Sequence, residues 1–425
     1  MVDHQLETIA IHAGNEPDAT GSRALPIHQT TSFVFHDADH AANLFNLAEV
    51  GYIYSRLTNP TVAALQTRMA ALEGGVGAVC TSSGHAAQIL ALFALMEPGC
   101  NIVSSNQLYG GSINQFSNAI RKFGWSCKFV DPDDKDALKA AADDSTRAYF
   151  IEGLANPGGV ITDVKAIADI AHAAGVPLIV DNTMATPFLL RPIEHGADII
   201  IHSTTKFLSG NGTSIGGVMV DGGTFDWVQC GDKFPSLTQP LPDYHGAVLT
   251  DAVGNMALTF HGIAVGLRDL GAALSPMNAW ITALGIETGA LRMARHCENA
   301  LTVAKWLETH DKVAWVSYAG LESSPYHGRA KTYMNGLGGA VFTFGLNGGY
   351  EAGKQVVNSV KLLSHVANVG DAKSLIIHPA STTHRQLADE ARTLAGAADD
   401  VVRLSIGIEN VNDIIADLKQ AFMIL

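Results

Sequence analysis

Ile199-Ile-Ile-His-Ser-Thr-Thr-Lys206-Phe-Leu-Ser-Gly210 is an apolar, β-branched run that stops abruptly in hydroxyls, a lysine and a glycine. Such a run reads as a buried parallel strand with an amine at its carboxyl end. Ligands of open parallel sheets bind at that end, so Lys206 is expected to face a site. An amine flanked by Ser203 and Thr205 suits a Schiff base to an aldehyde cofactor whose phosphate the hydroxyls would hold. Upstream, Pro177-Leu-Ile-Val-Asp-Asn-Thr183 is a second apolar strand, ending in Asp181, a carboxylate able to keep a pyridinium nitrogen protonated. Taken singly, a lysine after a strand is most often a surface residue and an aspartate there a helix cap. The two in this order, both after buried strands, favour a cofactor site.

The chain has 425 residues, enough for a large domain and a smaller one. Apolar residues make up 47% and charged ones 16%, the profile of a tightly packed α/β enzyme. Forty-one acidic residues against 27 Lys and Arg leave a net charge of −14, which disfavours a grip on nucleic acid or anionic membrane. Cys80, Cys100, Cys127, Cys230 and Cys297 are scattered and odd in number, and read as buried thiols in a reducing compartment. The amino-terminal residues lack the basic and apolar regions of a signal peptide, and no apolar run approaches the ~20 residues of a membrane span. A soluble, cytoplasmic protein is expected. No P-loop lysine, His-Glu-x-x-His or clustered metal ligands occur, so no metal is expected.

Residues 1–60 lack clean periodicity but carry clusters such as Thr30-Thr-Ser-Phe-Val-Phe35, and are expected to form an arm that packs on another subunit. The arm ends in Gly51-Tyr-Ile-Tyr54-Ser-Arg56-Leu-Thr-Asn-Pro60, where spacing alone reads Tyr54 and Arg56 as an exposed strand edge. Residues 61–284 read as the large domain. Strand candidates at 77–81, 101–104, 127–130, 148–151, 178–180, 198–201 and 217–220 alternate with helical runs at 61–72, 86–96, 112–123 and 164–174. This predicts an α/β fold with a mostly parallel seven-stranded sheet covered by helices on both faces. A loop-rich aromatic insertion follows Asp221, and a helical region from Ser275 to about His310 is expected to break at Gly285. Residues 285–425 read as a smaller α+β domain, with strands at 340–344 and 402–406 and helices at 349–359 and 411–422.

The residues after each strand are the informative ones. Ser82-Ser83-Gly84-His85 follows the first, Tyr109-Gly-Gly111 the second, Glu152 and Asn156-Pro157 the fourth, Asp181 the fifth, and Ser203, Thr205 and Lys206 the sixth. All fall at carboxyl ends, hence on one rim of the sheet, around one crevice. Ser83-Gly84-His85 opens a helix whose free N–H groups could hold a phosphate, although a plain cap is an equal reading. Tyr109 beside two glycines could lay its ring on a planar cofactor, while a lone strand-end tyrosine is more often packing. Arg403, by itself, reads as a surface ion-pair partner.

Together these residues resemble the Cys/Met-metabolism family of pyridoxal-phosphate (PLP) enzymes of fold type I. Asp181-Asn-Thr followed by Ser203-x-Thr-Lys206 is the most specific match; Tyr54-x-Arg56, Ser83-Gly84, Tyr109-Gly-Gly111 and Arg403-Leu-Ser-Ile-Gly-Ile-Glu409 support it. The resemblance implies that Lys206 holds the cofactor aldehyde, Asp181 the pyridinium nitrogen and Tyr109 the ring face. Ser203, Thr205, Thr183, Ser83 and the backbone at Gly84 and His85 would surround the phosphate end, and Asn156 the phenolic oxygen. Arg403 and Asn368 would take the substrate carboxylate. Tyr54 and Arg56 would reach the site of a neighbouring subunit, which replaces the strand-edge reading and implies a homotetramer built from dimers with shared active sites. Tyr109 and Tyr54 would be candidates to assist proton transfer.

Within the family, Pro26-Ile-His-Gln-Thr-Thr31, Asp39-His-Ala-Ala-Asn-Leu-Phe45 and Gly212-Thr-Ser-Ile-Gly-Gly217 look like the O-acetylhomoserine sulfhydrylase branch, as does the insertion after Asp221. That branch commonly has His where Asn211 stands and Gln where His85 stands. The implied activity is PLP-dependent γ-replacement on O-acetyl-L-homoserine by sulfide or methanethiol, in methionine biosynthesis. The alternatives are a cystathionine γ-synthase or a cystathionine or methionine γ-lyase of the same family, and, in another class, a binding or dehydrogenase-like α/β protein without PLP.

Overall fold

The computed structural model describes residues 4–46, 48–383, 385 and 396–425. Strands β1 (Gly77–Thr81), β2 (Asn101–Ser105), β3 (Ser126–Val130), β4 (Thr146–Glu152), β5 (Leu178–Asp181), β6 (Ile199–Ser203) and β7 (Gly217–Asp221) form one sheet in the order β1-β7-β6-β5-β4-β2-β3. From β6 across to β3 every neighbour is parallel, whereas β7 runs antiparallel to both β6 and β1. The reversal follows from the connection: residues 204–216 carry no helix, and a parallel return needs a long crossover. Because β1 keeps the direction of β2 to β6, six strand ends still open on one rim.

The runs at the sheet centre are apolar throughout because both faces are covered. Ile199, Ile200 and Ile201 are fully buried, as are Ile179 and Val180 beside them. The helix Pro60–Glu73 starts where Asn59 accepts from the Thr61 amide and proline occupies the first turn. The helix Gly84–Leu95 starts where Ser83 accepts from Ala86.

A second sheet lies toward the carboxyl terminus. It comprises β8 (Val313–Ser317), β9 (Val341–Leu346), β10 (Ser364–His365), β11 (Leu375–Ile377) and β12 (Val401–Ser405), ordered β10-β11-β12-β9-β8. Helices Gly349–Ser359 and Val411–Phe422 fall where expected. β8, β10 and β11 were not legible, two of them being too short to show a period.

Three local expectations change. The arm contains helices Leu6–His12 and Ala38–Phe45, the second capped by Asp37 accepting from His40. The long helical region breaks at Thr288, not at Gly285, so Leu284 lies inside the helix Pro276–Glu287. Gly285 has another role: a Cβ there would come within 2.3 Å of the Ser209 carbonyl oxygen, so the glycine lets this helix touch the turn after Lys206. Cys80, Cys100 and Cys297 are buried free thiols, but Cys127 and Cys230 are only partly so. Among the described residues no helix is long and apolar enough to cross a membrane.

Asp221 closes β7 on the far rim, buried, accepting from Gly223 N at 2.9 Å and from Thr259 N and Oγ1 at 3.1 and 3.0 Å. Burial pushes its carboxyl up to about 6, against those N–H bonds. Between the ordinary aspartate value and 6 the folded chain therefore holds a proton that the unfolded chain has released, so this group's contribution to stability falls as pH rises. The size is on the order of 2–3 kcal/mol. In thermal melts across that range, Asp221→Asn should show a lower but flatter dependence of Tm on pH.

Candidate active site

The strand ends and the second sheet enclose a cavity of about 240 Å³. β5 delivers Asp181, β6 delivers Ser203, and the turn after β6 carries Lys206, all three lining the cavity. The Lys206 amine donates to Asn368 Oδ1 at 2.6 Å. Burial first, then the charge of Arg403, pulls this amine below the usual lysine range.

Asp181 is held from two sides. Its Oδ1 accepts from the Thr183 amide at 3.0 Å and its Oδ2 from Gln88 Nε2 at 3.2 Å. Gln88 Nε2 donates in turn to Ser112 Oγ at 3.0 Å, and Thr183 Oγ1 accepts from the Ser203 amide at 2.8 Å. The ends of β5 and β6 are thus cross-linked on the cavity side.

The helix Gly84–Leu95 points its first turn into the same space. A Cβ on Gly84 would lie 2.8 Å from Ser203 Cβ and 3.0 Å from its Cα, so only glycine lets the helix terminus approach β6 this closely. The next residue, His85, stacks on the Tyr109 ring with centroids 5.9 Å apart and planes at 27°. Its Nε2 is buried with no partner among the described residues. The Tyr109 ring is half exposed to the cavity. Asn156 lines the wall opposite, next to Pro157.

Arg403 comes from β12 and is 7% exposed. Its Nη1 donates to Asn156 Oδ1 at 3.2 Å and its Nη2 to the Asn368 carbonyl at 3.1 Å. No carboxylate pairs with it among the described residues, and burial pushes the guanidinium down to about 10. A buried, unpaired guanidinium facing a cavity is a site for an anionic ligand. The surface ion-pair reading of Arg403 is therefore replaced.

Three expected residues lie elsewhere. Tyr54 and Arg56 do not line this cavity: Arg56 sits 5.6 Å from the Tyr54 ring centre and donates to the Arg268 carbonyl. The Thr205 hydroxyl turns into its own loop, donating to Gly216 O at 3.2 Å and accepting from Gly216 N at 3.1 Å.

Gln88 and Glu152 are among the lining residues to which the sequence alone assigns no role. Gln88 lies one helical turn beyond Gly84, a spacing that could have pointed to it. Glu152 ends β4. It is 4% exposed, and its two oxygens accept from the Tyr109 amide at 2.6 Å and the Asn156 amide at 3.0 Å. Burial, then the charge of Asp181, its partner across the β4–β5 register, pushes the carboxyl well above the usual range, and the two N–H bonds oppose this. Glu152 therefore sets the separation of two residues that line the cavity. Glutamine there keeps one acceptor and turns a donor toward the other amide. Glu152→Gln should weaken cofactor binding about tenfold, read by equilibrium titration of the cofactor-free protein.

Amine, carboxylate, aromatic ring, free helix terminus and unpaired guanidinium around one cavity fit an aldehyde cofactor carrying a phosphate and an amino-acid substrate. A sequence profile for Cys/Met metabolism PLP-dependent enzymes matches residues 7–423. The homocysteine synthase of Schizosaccharomyces pombe is 50% identical over 418 residues, 98% of this chain and 97% of its own. O-acetyl-L-homoserine sulfhydrylase 1 of Thermus thermophilus is 50% identical over 420 residues, 98% of this chain and 99% of its own. A crystal structure from Campylobacter jejuni, assigned as an O-acetylhomoserine (thiol)-lyase and holding a pyridoxyl-lysine phosphate, superposes with a TM-score of 0.96 at 41% identity, covering 99% of this chain and 100% of that one. With the fold, the cavity and its lysine in agreement with these likenesses, the chain belongs to the Cys/Met metabolism family of PLP-dependent enzymes.

Proposed function

We propose that this enzyme replaces the acetoxy group of O-acetyl-L-homoserine by sulfide, giving L-homocysteine and acetate. The observation that carries the reading is the pairing, in one cavity, of a lysine held below its usual pKa range with a buried guanidinium that has no acid partner among the described residues. The names and near-full-length coverage of the relatives support the sulfhydrylase reaction over others of the family.

PLP bound here would supply an electron sink for charge developing at the substrate α-carbon. Lys206 would hold its aldehyde and, once released by the substrate amine, act as base at the α-carbon; desolvation and then Arg403 lower the pKa of the lysine amine, in the direction a base requires. Asp181, fixed by Thr183 and Gln88, would hold the ring nitrogen's proton. Ser83, the amides of Gly84 and His85, and Ser203 would surround the phosphate, and Tyr109 would cover the ring. Asn156 would meet the phenolic oxygen. Arg403 would clamp the substrate carboxylate with Asn368 beside it, orienting the α-hydrogen toward Lys206. A second proton would leave Cβ, the Cγ–O bond would break to release acetate, sulfide would form the Cγ–S bond, and one proton would return to Cβ and one to Cα. Methanethiol would give methionine by the same route.

Tyr54 and Arg56, facing away from this chain's cavity, would serve the site of a neighbouring subunit, with the 1–60 arm carrying them across in a homotetramer of dimers. Tyr54 and Tyr109 would then assist proton transfer. Residues 61–284 and 285–425 would be the PLP-binding and carboxyl-terminal domains, in a cytoplasmic enzyme.

Purified enzyme given O-acetyl-L-homoserine should form homocysteine only when sulfide is present, with little 2-oxobutyrate. Keto acid formed regardless of sulfide, or no product until cysteine is added, would move the enzyme to a lyase or cystathionine synthase. Lys206→Ala should lose at least about 10³-fold in turnover. Arg403→Leu should raise KM by roughly thirtyfold or more, the equivalent of about 2 kcal/mol or above for an unpaired carboxylate. It also removes the charge that lowers the Lys206 pKa, so the acid limb of the kcat profile should move to higher pH.

A further inference from the structure

Behind the sheet, directly under the cavity, lies a buried polar cluster that the reaction as described does not use. Glu73, the last residue of the helix Pro60–Glu73, and His202 on β6 are both fully buried. His202 Nε2 is 2.5 Å from Glu73 Oε1, and Asn182 Nδ2 donates to the same oxygen at 2.9 Å and to the Leu190 carbonyl at 2.8 Å. Glu73 Oε2 and His202 Nδ1 meet no partner among the described residues, and neither Lys nor Arg pairs with this carboxylate there.

An apolar trio of the same volume would pack at this position with less desolvation cost, so stability alone does not account for the cluster. Its place in the chain does. Side chains alternate across a strand, so Asp181 and Ser203 face the cavity while their neighbours in sequence, Asn182 after the first and His202 before the second, face the opposite side. On the cavity side the two strand ends are joined by Thr183 and the Ser203 amide. On the back, among the described residues, they are joined through Glu73. The same helix begins four residues after Arg56, so Glu73 also ties the Tyr54–Arg56 segment to the strands that carry Asp181 and Lys206.

We propose that Glu73, His202 and Asn182 are positioning residues that fix the Asp181 carboxylate relative to Lys206 from behind the sheet, so that ring nitrogen and aldehyde of one cofactor are gripped in register. The inference rests on the PLP geometry above and is independent of which thiol acceptor or ester the enzyme prefers.

The test compares His202→Leu, which fills the space without a donor, with His202→Gln, whose amide nitrogen can stand in for Nε2. In the holoenzyme, His202→Leu should raise the PLP dissociation constant about tenfold, change the visible circular dichroism of the bound cofactor, and lower kcat with KM little altered. His202→Gln should restore all three. Glu73→Leu should reproduce the His202→Leu pattern. A His202→Leu enzyme that binds PLP with the parent's affinity and dichroism, whatever its melting temperature, overturns the proposal. Should that variant not fold, His202→Asn, too short to reach Glu73, is read by the same two measurements. A parent protein that binds no PLP would instead overturn the cofactor reading on which this one stands.

Discussion

The parallel register of β5 on β6 is the constraint from which the rest of the site follows. Asp181 pairs with Ile201, and the Asn182 amide continues the ladder by donating to the Ile201 carbonyl at 2.9 Å. A slip of one residue would turn Asp181 to the back of the sheet and Asn182 toward the cavity. The uninterrupted Ile199–Ile201 run cannot specify that register by alternation, since it is apolar on both faces. Polar cross-links at the strand ends do so instead, where the hydrophobic run stops.

Charge placed out of water is the second theme. Lys206, Arg403, Asp181 and Glu152 all face or border one cavity of about 240 Å³, and their desolvation is balanced locally by hydrogen bonds to amides and amide oxygens. Arg403 is neutralised by no acid among the described residues, and its bonds to Asn156 and Asn368 leave further N–H donors and the whole charge for a ligand. In the proposed reaction the electrostatic coupling between Arg403 and Lys206 would let one group serve two ends of the substrate, attracting the carboxylate and disfavouring protonation of the base.

Close approach of backbones holds these charges in place. Gly84 lets a helix terminus lie against Ser203, and Gly285 lets another helix lie against the turn after Lys206. Both approaches involve strand ends or turns, where a side-chain rotamer would otherwise have to separate the elements.

The sequence by itself determined the seven strands of the large sheet, their alternation with helices, and the set of polar residues at their carboxyl ends. Runs such as Leu178–Val180 and Ile199–Ile201 are legible because burial on both faces leaves no other residue type tolerable, and Lys206, Asp181 and Ser83 stand out because polarity begins where burial stops. The tertiary structure alone decided what cannot be read along one segment. The reversal of β7 depends on strand pairing, although the helix-free 204–216 connection was a signal for it. Gln88 and Glu152 gain their meaning from Asp181 and from the Tyr109 and Asn156 amides, 93, 43 and 4 residues away in sequence. Arg403 looks like any surface arginine until β12 lays it beside Asn156, 247 residues distant. Local pattern encodes how a residue sits in water or out of it, whereas a hydrogen bond between distant segments exists only once the fold has set their separation.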